Sequence, residues 1–476
     1  MMKIKNKKIA WFAVLALFPV LVMAQAKTKD TVRVTHHEFS ARQAIEYAAK
    51  NNVEVKNALL DVKMQEQVNR EITSYAYPRL NASLGTTYNP NISTQVLPNF
   101  ISPATYQVLI DEGVKDGSGN PIQMPSDFGN ISAQFGVKYS ATAGVTLSQL
   151  LFDGQVFVGL QARDATIAFA QKNAEVTEEI IKTNIYKIYY QLVVSRTHIE
   201  LLDTNIALLQ RLLKDTRVIH QNGLAEQLDV DKVSVQLTNL LTEKNKTLSI
   251  VSNGYYGLKV LMGMPVTDEL VLTDTLSDEQ VKDATLGMET YTYEDRKEYQ
   301  YAQIGKKLNE YNIRRYKLSQ APTVTLNGQY LKNAQRDQWN FFESGAWFTI
   351  SNINLNVAIP IFNGFYYKSK IQQAKINLQQ TENHIVALQL SIDNEVATAK
   401  NNFRVAISTM DFQRKNMDLA GKVYQQTKRK YEMGIGNQTD INVAQGDLKN
   451  AQANYVSALY DAVIAKIDFL RATGKL

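Results

Sequence analysis

The sequence predicts a mainly α-helical chain that also carries a transmembrane β-barrel, and three observations lead there. One pattern is written twice, about 210 residues apart: Leu151-Phe152-Asp153-Gly154 returns as Ile361-Phe362-Asn363-Gly364. Four segments alternate apolar and small polar residues with a period of two, as a strand with one polar and one apolar face does. Between them run proline-free helical stretches at 154–264 and 361–476, much longer than globular helices.

The repeat sets the organisation. Gly154 to Gly223 is 69 positions and Gly364 to Gly434 is 70, while Gly223 to Gly263 and Gly434 to Gly474 are both 40. Solenoid units run roughly 20 to 50 residues, so a repeat this long is a duplicated half-protein. The first copy covers 40–263 and the second 292–476, joined by a linker at 264–291.

The N-terminus reads as an export leader. Lys3, Lys5, Lys7 and Lys8 precede the apolar run from Ile9 to Val22, and small residues follow at Ala24 and Ala26. This is the layout of a secretory signal peptide, taken as 1–24 with cleavage after Ala24 or Ala26, and 25–39 follows as a tail. The apolar run is shorter than the roughly 20 residues of a membrane helix, and no later segment supplies one. Loss of four lysines lowers the formal charge from +6 to +2, too little to argue for nucleic acid as a partner. With no cysteine, a disulfide framework and a thiol nucleophile are excluded.

The expected strands follow from alternation. They are Leu80, Ala82, Leu84, Thr86 and Tyr88; then Phe135 to Leu147 in steps of two; then Val324, Leu326 and Tyr330; then Ile353, Leu355, Val357 and Ile359. Each is long enough to cross a bilayer when tilted, and Tyr88, Phe135, Tyr139, Tyr330 and Trp347 fall where an aromatic girdle belongs. A half-buried sheet in a soluble protein would alternate in the same way. Four strands cannot close a barrel and eight would enclose only side chains, so an open duct needs three chains and twelve strands. The long insert 89–130, with five of the ten prolines, and the shorter 332–345 are expected as outward-facing loops.

The helices carry heptads. Ile181, Ile185, Ile188, Leu192, Ser195, Ile199, Leu202, Ile206, Leu209 and Leu213 keep a four-three spacing. A looser seam runs through Ala374, Leu378, Ile385, Leu388, Ile392, Val396, Ala399 and Phe403. At about 1.5 Å per residue each long helix is a rod of roughly 100 Å. Two shorter helices can stack end to end beside each: Gly223–Gly263 with Thr292–Gln320, and Gly434–Gly474 with Ser40–Ser74. The acidic linker 264–291 would then wrap the waist.

These features together resemble the TolC family of outer-membrane efflux ducts. The resemblance rests on the leader, the duplicated halves, Pro78-x-Leu80 and Pro322-x-Val324 entering strands, the two Phe-Asp/Asn-Gly turns, and the tip motifs Asn222-Gly223-Leu224 and Met433-Gly434-Ile435, followed by Asp229 and Asp440. It implies a trimer with four strands per protomer, a twelve-stranded β-barrel continuous with a periplasmic α-barrel of coiled-coil-like helices. It also implies location in the Gram-negative outer membrane, with outer-membrane lipid around the barrel. The partners implied are a periplasmic adaptor and an inner-membrane pump of the RND, ABC or MFS type.

In the family, the tips dock the adaptor, which places that role on Gly223, Leu224, Gly434 and Ile435. The family's closed entrance uses an Asp, a Tyr and an Arg, which fall here on Asp229, Tyr431 and Gly436, so the arginine is missing. An acidic ring of the family falls on Val443, with Asp440 one turn earlier.

Catalysis finds no support in the sequence. The histidines His36, His37, His198, His220 and His384 have no metal-ligand spacing, and no phosphate loop or nucleophile elbow is present, so no enzyme activity, cofactor or metal is expected. His36-His37 reads as an exposed tail pair and His220 as solvated. Asp111–Asn120 reads as a solvated loop, since it lacks the calcium-loop pattern. Two alternatives to an efflux duct remain: the exit duct of a dedicated type I protein secretion system, and a structural periplasmic coiled-coil scaffold or adaptor.

Overall fold

The computed structural model describes residues 35–282 and 290–476, so the leader, residues 25–34 and Asp283 of the linker lie outside it. In chain order the first half comprises β1 (His36–Phe39), α1 (Ala41–Asn51), α2 (Val53–Ser74), β2 (Arg79–Tyr88), β3 (Thr94–Pro98), α3 (Ile101–Asp111), β4 (Asn130–Gln134), β5 (Tyr139–Phe152), α4 (Gly154–Gln221) and α5 (Gln227–Met262). The linker contributes β6 (Glu269–Leu272) and α6 (Asp278–Lys282). The second half has a 3₁₀ turn at Tyr293–Asp295, α7 (Lys297–Leu318), β7 (Thr323–Arg336), β8 (Phe348–Ala358), α8 (Tyr366–Glu432) and α9 (Gln438–Ala472).

The two rods form as expected, with 68 residues in α4 and 67 in α8. Seven of the ten heptad positions in α4 are buried, including Ile185, Leu202 and Leu209. Most of the core is interhelical: α4 packs on α1, α2, α5, α7 and α9, and α8 on α7 and α9. The α4 seam closes over Val230, Val233 and Leu240 of α5 and Ile441 and Ala444 of α9.

The stacking of the shorter helices is the reverse of the expected pairing. Gly263, at φ 70°, ends α5 with its Cα against the Asn51 carbonyl, and Asn52 Nδ2 donates to Leu261 O at 2.7 Å. Asn52 Oδ1 also accepts from Glu54 and Val55 N–H, which starts α2 and splits the expected Ser40–Ser74 helix in two. Thus α5 continues into α1 and α2. At the other joint Gly474, φ 69°, lies against the Asp295 carbonyl and Arg296 Nη1 donates to Ala472 O at 3.0 Å, so α9 continues into α7. The lengths fit either pairing; the two glycine–carbonyl contacts choose between them.

The described part of the linker packs against the tail and α4. β6 pairs in parallel with β1, so the end of the tail is a strand and not a free pair of histidines. His36 lies between Glu269 and Glu38, whose bonds raise its pKa, and His37 sits 3.5 Å from Asp268. Tyr189 Oη donates to Phe39 O at 2.8 Å and accepts from Asp274 N–H at 3.2 Å; burial pushes its pKa up to about 12. Val281 of α6 is buried against Met410 and Tyr455.

All four long strands share one antiparallel sheet, in the order β2-β5-β7-β8. The second lies at Tyr139–Phe152, shifted past the expected 135–147 because Gly136 (φ 155°) breaks the approach and the strand runs on into the Asp153 turn. The third continues to Arg336, so the loop expected from 332 starts five residues later, at 337. The insert expected as a loop contains a small hairpin, β3 with β4, and the helix α3. Its Asp116 carboxylate accepts backbone N–H from Ser118 and Asn120, the geometry of a self-closed turn.

The two turns into the rods differ. Asp153 Oδ1 caps Gln155 and Val156 N–H at 2.7 and 3.3 Å, whereas the second copy places Gly364 and Phe365 at φ 59° and 65° and starts α8 at Tyr366 without a side-chain cap. Asn363 therefore does not repeat the role of Asp153.

Candidate functional site

The helical tips are built alike. At the α4–α5 turn, Gly223 (φ 75°) donates to His220 O at 2.8 Å and Leu224 N–H reaches back to Ile219 O at 3.0 Å. At the α8–α9 turn, Gly434 (φ 72°) donates to Tyr431 O and Ile435 N–H to Lys430 O, both at 3.0 Å. These paired bonds close the carbonyls of each last turn, and only glycine takes the left-handed backbone they need without strain. Each turn throws the next side chain outward: Leu224 is 81% exposed and Ile435 73%. His220 is not simply solvated, because Nδ1 bonds Ala225 O at 2.9 Å across the turn.

The entrance residues come together only in part. Tyr431 is half-buried; burial raises its pKa, a bond to the Thr216 side chain opposes this, and Asp229 and Asp215 raise it further. Asp229 lies in the first turn of α5, where Lys232 Nζ stands 3.7 Å away. No hydrogen bond joins the Asp229 carboxylate to the Tyr431 phenol among the described residues, although the charge of Asp229 lies close enough to raise the Tyr431 pKa. Asp229 nonetheless has a cation. The Asp229–Lys232 spacing of three residues on one helix is a sequence signal that finds it; Thr216, three residues past Leu213 in the same spacing, is buried as that position predicts, but nothing local marks it as a neighbour of Tyr431.

Asp440 is exposed in the first turn of α9, its N–H capped by Asn437 Oδ1 at 2.7 Å, and Val443 is exposed one turn on. At Gly436 a Cβ would fall 3.0 Å from Tyr431 N and 3.2 Å from Lys430 C. The glycine thus lets the turn close against the end of α8, and a larger residue there would have to push backbone aside.

The sheet has two unlike faces. The register aligns Leu80, Leu147 and Gly328 on one side, with Leu355 and Ile353 continuing it on β8. Leu84, Ile353 and Leu355 are strongly exposed on this face. The other face carries a hydroxyl and amide network: Ser148 Oγ donates to Asn327 Oδ1 at 3.0 Å, Asn327 Nδ2 to Asn354 at 3.3 Å, and Asn333 Nδ2 to Thr142 at 3.2 Å. Arg79, at its inner end over the Tyr75 ring, is the one charge on that face among the described strand residues. No helix of the described residues is long and apolar enough to cross a membrane.

The family model described as outer membrane efflux protein matches residues 295–475. The outer membrane protein TolC of Vibrio cholerae is 20% identical over 345 residues, which cover 70% of this chain and 77% of that one. Among solved structures the chain is similar to CusC, with a TM-score of 0.71 at 14% identity over 93% of both chains. It is also similar to the outer membrane protein VceC of Vibrio cholerae, with a TM-score of 0.68 at 15% identity over 91% of this chain and 96% of the other.

Proposed function

Because the chain belongs to the TolC family of outer-membrane efflux proteins, we infer that it is an outer-membrane channel-tunnel reaching into the periplasm, the exit duct of an efflux or export system. The observation that carries this reading is a pair of matched free edges. In the sheet, β2 and β8 each leave one row of backbone N–H and C=O groups unpaired, and their apolar face cannot be left to water. In the helical layer, α5 exposes Leu228, Val235, Leu241 and Leu248 at one edge, and α8 exposes Val405, Phe412 and Leu419 at the other. Three copies joined edge to edge give twelve strands and a continuous tunnel below them.

The detergent-extracted protein is therefore expected to be a trimer by multi-angle light scattering. A monodisperse monomer that still conducts in planar bilayers would overturn this assembly.

Passage through the duct is passive, so energy and selection come from outside it. A periplasmic adaptor grips Leu224 and Ile435 at the tips, and an inner-membrane pump delivers cargo to the entrance. Asp440 supplies three carboxylates around that entrance in the trimer, and like charges on low-dielectric walls reinforce one another's field. The Asp229–Lys232 pair lies within one helix, and the Tyr431 phenol of α8 sits half-buried within the field of Asp229, so both residues belong to the contact between α5 and α8 at the entrance. Cation selectivity is expected in planar bilayers, reduced by Asp440→Asn, with higher conductance for Asp229→Ala combined with Tyr431→Phe. If neither property moves, the constriction lies elsewhere along the helices.

A further inference from the structure

On the apolar face of the sheet, at its outer end, two cations stand without a carboxylate partner among the described residues. Lys332 and Arg336 share that face with Tyr330 and Ala334, since alternate residues of β7 point the same way and no bulge interrupts this stretch. Lys332 Nζ donates to Thr349 Oγ1 at 2.6 Å and lies 5.9 Å from the centroid of the Tyr330 ring. The Arg336 guanidinium lies flat against Gly345, with Nε and Nη2 enclosed and unbonded. A partly enclosed guanidinium without an anion is costly, and an acceptor oxygen reaching it would relieve that cost.

The loop at 337–347 lies down on this same face and not across the barrel mouth. Phe341, 7% exposed, packs on Ala141 and Ala334, both of which belong to the apolar face. Trp339 meets the Tyr139 ring edge-on at 6.1 Å, and Tyr139 stacks on Tyr88 at 4.8 Å. Phe342 is left 94% exposed at the tip of the loop. A monomer in water has no use for such a side chain on an apolar face, whereas the boundary between headgroups and acyl chains accommodates it.

We propose that this foot binds the phosphorylated sugar headgroup of an outer-leaflet glycolipid. The proposal rests on reading the apolar face as lipid-facing. Phe342 and Trp339 enter the acyl boundary, and Lys332, whose Nζ stays beside its cross-strand neighbour Thr349, offers the inner of the two charges. Four residues of strand separate the Cα atoms of Lys332 and Arg336 by roughly 13 Å, so the pair presents two positions along one strand, as two phosphates on one disaccharide would require. Phosphate also matches the fork of a guanidinium.

The test uses the full-length protein in detergent, with bisphosphorylated lipid A and its dephosphorylated form as probes, read by native mass spectrometry and thermal unfolding. The bisphosphorylated lipid is expected to stay bound and raise the melting midpoint, while the dephosphorylated form does neither. Lys332→Gln with Arg336→Gln is expected to weaken binding by roughly tenfold or more, the loss of two charge-assisted contacts. Equal binding of the two lipids by the unaltered protein, or full affinity in the double variant, overturns the proposal. Trimer mass and bilayer conductance of the same samples report separately on the duct reading.

Discussion

Replacing Leu224 and Ile435 with Asp is expected to abolish export while trimer formation and outer-membrane insertion stay intact. Both side chains project from turns whose backbone bonds are made by Gly223, Leu224, Gly434 and Ile435 main-chain groups, so the substitution leaves the turn hydrogen bonds in place. What changes is the surface. Burying a Leu or Ile against a partner contributes about 1.5–3 kcal/mol, and an Asp at the same place replaces that gain with a desolvation cost. In the proposed trimer, three copies of each tip multiply the loss. Susceptibility of cells to a panel of apolar toxic compounds, set beside trimer yield in outer-membrane fractions, provides the readout. Normal export with normal trimer would mean that the two tips only turn the chain.

The second large effect is expected at the joint between α9 and α7. Arg296 is 3% exposed and donates to Glu298, Glu395 and the Ala472 carbonyl, the end of one helix and the start of the next. Removing the buried member leaves the Ala472 carbonyl bare and takes the cation from the partly exposed Glu298 and Glu395, so Arg296→Met should destabilise the protein by about 2 kcal/mol. Beside it, Tyr291 and Tyr293 both donate to Asp393 of α8, at 2.6 and 3.0 Å, and stay in place in this variant. A thermal unfolding midpoint indistinguishable from that of the unaltered protein would show the cluster to be dispensable.

The same cluster has a pH signature. Burial alone would raise the Glu298 pKa, but the Arg296 bond holds it below its ordinary value. A lowered folded-state pKa contributes stability that is fully present above the unfolded value of about 4.3 and is lost as pH falls through the folded value. Acidification below that range should therefore narrow the gap between Arg296→Met and the unaltered protein.

Much of this architecture is legible in the residues themselves. Period-two alternation located four strands, because the two faces of a membrane sheet meet opposite solvents and every second residue must comply. Heptads and the absence of proline located the rods, and Gly223 and Gly434 located both tips, because a reversal at φ > 0 leaves glycine at those places. The missing arginine at Gly436 was legible as well, but its reason was not. Any side chain at that position would bring its Cβ to 3.0 Å from Tyr431 N, a crowding set by how the turn folds back on the end of α8.

Other features were decided only by tertiary contacts. Which short helix stacks on which depends on the Asn51 and Asp295 carbonyls meeting Gly263 and Gly474, partners more than 170 residues away in sequence. The pairing of β1 with β6, the Tyr431–Thr216 contact and the fold-back of Phe341 onto Ala334 are likewise long-range or depend on side chains that carry no periodic signal. Local sequence determines what each segment can be, because propensity, period and turn chemistry act within a few residues. Which segments meet is a choice among surfaces of similar apolar character, and individual close approaches and hydrogen bonds, invisible to any pattern, make it.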